Sequence, residues 1–164
     1  MKQTYRVVSG LIALGVIVQA SAIAFGWFDA IHEVDSGAVI DENYDGNVGH
    51  MIHGLNGMYV MPVLGLVLLI VSFLAAKSVP GARKWGGIVF GLIILQVALA
   101  FVAFGAPVVG ALHGINALAV LATAVRASML TRDAGVRRES STGAVDVPRQ
   151  STGTSAPEAS RPVL

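Results

Sequence analysis

The fold is decided by residues 51–76, which read MIHGLNGMYVMPVLGLVLLIVSFLAA and contain no Asp, Glu, Lys or Arg. About 20 mostly apolar residues are enough to cross a bilayer as a helix. Three further segments meet this requirement, at residues 7–28, 85–104 and 107–125. A water-soluble helix needs a polar face at regular spacing, which these segments lack. We therefore predict an all-α fold, a multi-pass membrane four-helix bundle.

The composition excludes several classes of protein. Of the 164 residues, 54% are hydrophobic and 13% are charged, whereas an average soluble domain has about 25% charged residues. The net charge of +1 leaves no basic patch for a nucleic-acid backbone, so the expected partner is membrane lipid. The chain has no cysteine, which excludes disulfides, thiolate metal sites and covalently attached haem.

The basic residues predict the orientation of the spans. Up to residue 132 they lie before the first span, between the second and third, and after the fourth: Lys2, Arg6, Lys77, Arg83, Lys84, Arg126 and Arg132. Because short cytoplasmic loops carry the excess of Lys and Arg, we predict a plasma-membrane protein with both termini in the cytoplasm. Residues 1–132 form the transmembrane domain, and the Ser-, Gly- and Pro-rich residues 133–164 are predicted to be a disordered cytoplasmic tail.

The first span has a second interpretation as a cleavable signal peptide. Lys2 and Arg6 form a positive N-terminal region, and residues 20–22 read Ala-Ser-Ala, which fits a cleavage site. The apolar run continues to Phe28 and is therefore longer than a usual signal sequence. This length favours an uncleaved helix.

One motif occurs twice. Residues 52–57 read IHGLNG and residues 112–117 read LHGINA, so His, Gly, an aliphatic residue and Asn recur in the same order. The preceding helices correspond loosely, with Gly-Leu-Ile at 10–12 and 91–93 followed by Gln19 and Gln96. We therefore predict two repeated helical hairpins joined by the basic loop.

The repeat predicts a pair of facing histidines. His53 and His113 lie a few residues into helices that run in the same direction, within roughly 10 Å of the outer surface at 1.5 Å per residue. Asn56 and Asn116 follow three residues later, on the same helix face. Neutral imidazole is a good ligand of haem iron, so His53 and His113 are candidate axial ligands of a haem b.

Neighbouring residues complete this predicted pocket. Gly54 and Gly114, with the two asparagines, would line it, and glycine permits either close helix packing or the close approach of a flat ligand. The backbone carbonyls of Gly49 and Val109 are candidate acceptors for the second ring nitrogens. The predicted outer side has no Lys or Arg to pair with haem propionates, and only helix N-termini favour anions there.

A resemblance follows from the last two spans. Leu95-Gln96, Pro107-Val108-Val109, Leu112-His113 and Ala117 are similar to one hairpin of the heme A synthase family, whose four-helix halves resemble b-type membrane cytochromes. The resemblance covers residues 7–126 in layout and one half of the family protein. It implies haem ligation by His53 and His113 near the outer face, with a redox or respiratory membrane protein as partner.

The chain also departs from that family. The family has Glu three residues before its second-helix His and Arg directly after it, whereas this chain has His50 and Gly54. The paired outer-loop cysteines and the second four-helix half are absent. The sequence therefore does not support heme A synthase activity, and the prediction is a haem-holding protein for electron transfer or an accessory role rather than an enzyme.

Three alternatives stay open at this stage. The His-Gly-x-Asn repeats would only pack helices in a non-catalytic membrane interaction or scaffold protein. Asp41, Asn43 and Asp45 match the start of a calcium loop, although Ile52 stands where a bidentate Glu is required. His50 and His53 are three residues apart and, with His32, are candidate ligands of a transition metal in a small metal or proton carrier.

Overall fold

The long apolar runs form four helices. The computed structural model describes the backbone of residues 1–142 and the side chains of residues 1–132. The helices are α1 (Lys2–Asp35), α2 (Val48–Ala75), α3 (Ala82–Gly105) and α4 (Val109–Thr142). Residues 1–142 contain no strand. Each helix includes a segment long and apolar enough to cross a membrane, so the predicted all-α membrane bundle is confirmed.

Two helix boundaries differ from the prediction. The fourth helix begins at Val109 rather than at Pro107. Pro107 lies in the turn before the helix, and the carbonyl of Pro107 accepts from the backbone N–H of Gly110. The same helix continues to Thr142, so the backbone of residues 133–142 of the predicted tail is helical. No proline interrupts this stretch, since the next one after Pro107 is Pro148. Residues 143–164 of the predicted tail lie outside the described residues.

The helices form a four-cornered bundle in which α2 and α4 occupy opposite corners. Each helix packs along the next one in the chain, and α1 also packs along α4. We call the end that carries residues 36–47 the loop end and the end that carries residues 76–81 the basic end. Most buried apolar residues lie in the basic half, where Tyr5, Ile12 and Leu68 are fully buried.

A π-helical turn interrupts α2. The helix is α-helical over Val48–Leu55 and Met61–Ala75, and Asn56–Val60 forms the π turn between these segments. The backbone N–H of Met61 donates to the carbonyl of Asn56, five residues back. Pro62 follows directly, and proline has no backbone N–H to donate to the preceding turn of a helix. The wider turn directly before Pro62 accommodates that missing donor, as π turns do in other helices.

The burial pattern confirms the internal repeat and locates its one irregularity. Before the π turn, equivalent residues of α2 and α4 are 60 positions apart, as in His53 and His113. After the turn, buried residues recur 59 positions apart: Met61 and Val120, Gly65 and Ala124, Leu68 and Ala127, Val71 and Leu130, Ser72 and Thr131. The π turn therefore accommodates one residue that the first hairpin has in addition to the second. The residues after the turn then face the core at positions equivalent to those of α4.

Equivalent residues of α1 and α3, the first helices of the two hairpins, are 77 positions apart in the sequence. Buried Tyr5, Ile12 and Val16 correspond to buried Ala82, Val89 and Ile93. The same spacing pairs Gln19 with Gln96. It also pairs Gly10 with Gly87, so the predicted match between Gly-Leu-Ile at 10–12 and 91–93 was wrong by about one helical turn.

Candidate functional site

The structure brings His53 and His113 together across the bundle. Their ring centroids are 6.4 Å apart and the ring planes are inclined by 57°. The two residues occupy equivalent positions on the diagonally opposed helices α2 and α4. The sequence prediction that these imidazoles face each other is therefore in agreement with the structure.

Each imidazole is held by a backbone carbonyl of its own hairpin. The Nδ1 atom of His53 lies 3.1 Å from the carbonyl oxygen of Gln19, and that of His113 lies 3.0 Å from the carbonyl oxygen of Gln96. A carbonyl only accepts, so each Nδ1 atom is the donor in its contact, and in the neutral tautomer that this requires the Nε2 atom holds the lone pair.

The predicted acceptors of these Nδ1 atoms were wrong. The carbonyls of Gly49 and Val109 precede each histidine by one turn in the same helix, where the helix's own backbone bonds occupy them. The carbonyls that accept belong instead to the neighbouring helix of the same hairpin. The only sequence signal for these carbonyls was the presence of a glutamine, Gln19 or Gln96, in the helix before each His-Gly-x-Asn motif.

The asparagines repeat the same arrangement one turn further along. The Nδ2 atom of Asn56 donates to the carbonyl of Gly15 at 3.2 Å, and that of Asn116 donates to the carbonyl of Leu92 at 2.9 Å. Gly15 and Leu92 each lie four residues before the glutamine whose carbonyl accepts from histidine. His and Asn therefore clamp each hairpin with the same pair of bonds, which is a real packing role.

The two glutamine side chains differ. Gln96 is fully engaged, because its Oε1 accepts from Asn116 at 2.6 Å and its Nε2 donates to the carbonyl of His113 at 3.0 Å. In the other hairpin the Oε1 of Gln19 is buried without a hydrogen-bond partner. Its Nε2 lies against Gly57, where any Cβ atom would collide with it. Gln19 thus leaves one polar atom unsatisfied beside the histidines.

A cavity of about 670 Å³ separates the two hairpins at the level of the histidines. We call it the slot. All four helices line it, and its polar side chains are Gln19, Ser21, His53, Gln96 and His113; no Asp, Glu, Lys or Arg of the described residues lines it. The rest of its surface is apolar or glycine, including Met58, Phe101 and Phe104. Its size and apolar character are typical of a site for a small organic ligand.

The glycines next to the histidines open onto the slot. A Cβ atom added to Gly54 or Gly114 would meet no atom within 4 Å, and both residues line the slot. Their lack of a side chain therefore serves no contact between helices. Gly110, one turn before Gly114 on the same helix, also has open space around it.

The loop end holds a second polar cluster. The His50 ring packs edge-on against Trp27 at 5.1 Å and against Tyr44 at 6.2 Å between centroids. Its Nδ1 accepts from the backbone N–H of Asn47, whose side chain in turn accepts from the first turn of α2 and donates to Asp29. His50 therefore caps the N-terminus of α2, and its ring packs against Trp27 and Tyr44 rather than against His53.

Tyr44 belongs to the same cluster. Its hydroxyl has no hydrogen-bond partner. Burial of the phenol and the nearby carboxylates of Glu33 and Asp29 raise the pKa of Tyr44 above its ordinary value. The tyrosinate form is disfavoured in the folded loop for these reasons.

The metal sites predicted from His, Asp and Asn alone are not assembled. Within residues 1–132, no three or more His, Cys, Asp or Glu side chains lie together as a group that could hold a metal ion. In the predicted calcium loop, the Asp41 carboxylate instead accepts from the backbone N–H of Asn43 at 2.9 Å. The predicted transition-metal site of His32, His50 and His53 also requires three such side chains close together, and these three residues do not form a group of this kind.

Comparisons of the chain with protein-family models, with curated proteins and with solved structures found no match. The function is therefore argued from the slot.

Proposed function

We propose that the protein holds one haem b in the slot, with His53 and His113 as its two axial ligands. The observation that carries this proposal is the pair of neighbouring imidazoles, each with its Nδ1 atom held within about 3.1 Å of a backbone carbonyl. That contact leaves the Nε2 atom of each ring as the candidate metal ligand.

The distance between the rings fits a single metal centre. A bond from imidazole nitrogen to a first-row metal is about 2 Å, and two such bonds plus the two ring radii give about 6 Å. The ring centroids are 6.4 Å apart. A bare ion would need further protein ligands, whereas haem supplies four nitrogens itself and needs only the two histidines.

The shape and chemistry of the slot support the same ligand. Gly54 and Gly114 leave open space next to each histidine, which a flat macrocycle requires. The surrounding wall is apolar, as for haem in other bundle cores. No Lys or Arg lines the slot, so the carboxylate groups of the macrocycle would need water or other polar groups as partners.

Two axial histidines leave no open coordination position on the iron, which suits electron transfer or an accessory haem-holding role. The residues of the chain would then bind and orient the group, and the carbonyls of Gln19 and Gln96 would raise the basicity of the histidines. We further propose that a redox or respiratory membrane protein exchanges electrons with this site.

The charge distribution supports a plasma-membrane location with the basic end in the cytoplasm. All seven Lys and Arg residues before residue 133 lie at or near the basic end, and all six Asp and Glu residues of the same part lie towards the loop end. This is the asymmetry that the positive-inside rule describes. The slot, which is closer to the loop end, would then face the outer side.

The test is a visible spectrum of the protein purified in mild detergent from haem-replete cells. We expect sharp low-spin b-type bands on reduction, lost in His53→Ala and in His113→Ala. His32→Ala is the matched control, because His32 is exposed and does not line the slot. A folded protein that stays colourless after haem supplementation, or that carries copper and no haem, would contradict the proposal.

A second candidate is a non-catalytic membrane interaction or scaffold protein. The clamps made by His53, Asn56, His113 and Asn116 within each hairpin favour it, because they stabilise the helices without any ligand. This function leaves the two Nε2 atoms and the slot unexplained. The same spectra distinguish the two candidates.

A further inference from the structure

A second cavity, of about 490 Å³, lies at the basic end between α1 and α4. Three cationic side chains line it, Lys2 and Arg6 from α1 and Arg132 from α4, together with Gln3 and Thr131. We propose that this cavity binds a phosphate group, such as that of an anionic lipid headgroup. The proposal concerns a different site from the slot and does not depend on haem.

The cavity lies at the level where lipid headgroups are expected. Arg6 directly precedes the uncharged apolar run of α1, and Arg132 is the last residue of the candidate span Val109–Arg132. Cationic pockets between helices at the end of their membrane spans bind phosphate headgroups in other membrane proteins. Lys2, Arg6 and Arg132 are placed to do this together because two different helices supply them.

Among residues 1–132, no carboxylate lies near the three cations; the next acidic residue in the sequence is Asp133, directly after Arg132. Neither residues 1–28 nor residues 46–132 contain Asp or Glu. Three like charges around one cavity repel each other, and an anion between them removes that repulsion. The guanidinium groups of Arg6 and Arg132 offer the forked donors that match phosphate oxygens.

Other cations of the basic end are placed differently. Arg83 lies over the ring of Phe73 at 5.5 Å, and Arg126 lies over the ring of Trp85 at 5.9 Å. Lys77 and Lys84 are exposed and do not line the cavity. The convergence of three cations on one cavity is therefore a specific feature of α1 and α4, rather than a general property of the basic end.

The experiment is native mass spectrometry of the full chain in detergent with added phosphatidylglycerol, phosphatidylcholine or inorganic phosphate. We expect phosphatidylglycerol to be retained over phosphatidylcholine. The double variant R6Q/R132Q should bind it about thirtyfold more weakly, since each of the two basic groups near a membrane surface contributes about 1 kcal/mol. The control K77Q/K84Q removes the same charge from the same end and should leave binding almost unchanged.

The arms of this experiment identify the source of the phosphate. Retention of inorganic phosphate that is lost in R6Q/R132Q, with neither lipid retained, would support the same site with a soluble ligand. Equal losses in the two double variants, or retention of both lipids to the same extent, would overturn the proposal. R6K/R132K guards against misfolding, because it keeps the charges and should retain most of the binding.

Discussion

The imidazole rings of His53 and His113 stand 6.4 Å apart although the residues lie in different hairpins and 60 positions apart in the chain. Neither ring is free to turn, because a carbonyl of the neighbouring helix fixes its Nδ1 atom. Both rings are therefore held in place without any ligand. Preorganisation of this kind would reduce the entropic cost of binding the proposed haem.

Filling the slot at Gly114 should abolish haem binding without unfolding the protein. In Gly114→Leu the new side chain enters open space that we assign to the macrocycle. Gly110→Leu is the control, because Gly110 also has open surroundings but does not line the slot. Haem per protein and thermal unfolding are measured together. Equal haem content in the two variants would contradict the placement of the ligand.

The two glutamines should respond differently to replacement by leucine. Gln96→Leu removes the acceptor of Asn116 and should lower the free energy of unfolding by about 1–2 kcal/mol, the upper range for such bonds between membrane helices. Gln19→Leu removes a buried oxygen that has no partner and should cost little or even stabilise the haem-free protein. Unfolding in mixed detergent measures both, and similar losses would refute the distinction.

Gly49 is expected to tolerate no side chain. A Cβ atom there would lie 2.6 Å from the backbone of α1, at the carbonyl of Ala22 and the nitrogen of Gly26. Gly49→Ala should therefore destabilise the loop end by about 1–3 kcal/mol, the usual cost of overpacking. Gly54→Ala on the same helix meets no atom and is the control. Hydrogen exchange of residues 22–50 would report the change, and unaltered protection would count against it.

Stability should fall at alkaline pH through Tyr44. Its pKa is raised in the folded loop, by burial first and by Glu33 and Asp29 next. The folded state therefore holds the phenolic proton more tightly, so this contribution is complete below about pH 10, the ordinary tyrosine pKa, and is lost as the pH rises beyond it. Ultraviolet titration of Glu33→Gln should give a lower pKa for Tyr44, and Tyr44→Phe should reduce the alkaline loss of stability.

The sequence was sufficient for the spans and for the facing histidines. Uncharged runs near 20 residues long leave few alternatives to membrane helices, and a motif repeated at matched depth on parallel helices places His53 and His113 together. The carbonyl partners Gln19 and Gln96 were not predictable, because they depend on the rotation of one helix against its neighbour. The loop cluster around His50 was missed since its contacts join residues far apart in sequence.

The π turn at Asn56–Val60 separates two tasks that one helix performs. Before the turn, residues of α2 lie 60 positions from their equivalents in α4, which aligns His53 with His113. After the turn, buried residues lie 59 positions from their equivalents, which fills the core. A single additional residue is absorbed between these two regions without disturbing either. Changes in the length of this helix should therefore be better tolerated within those five residues than elsewhere along it, because the region around His53 and the packed core can there keep separate spacings.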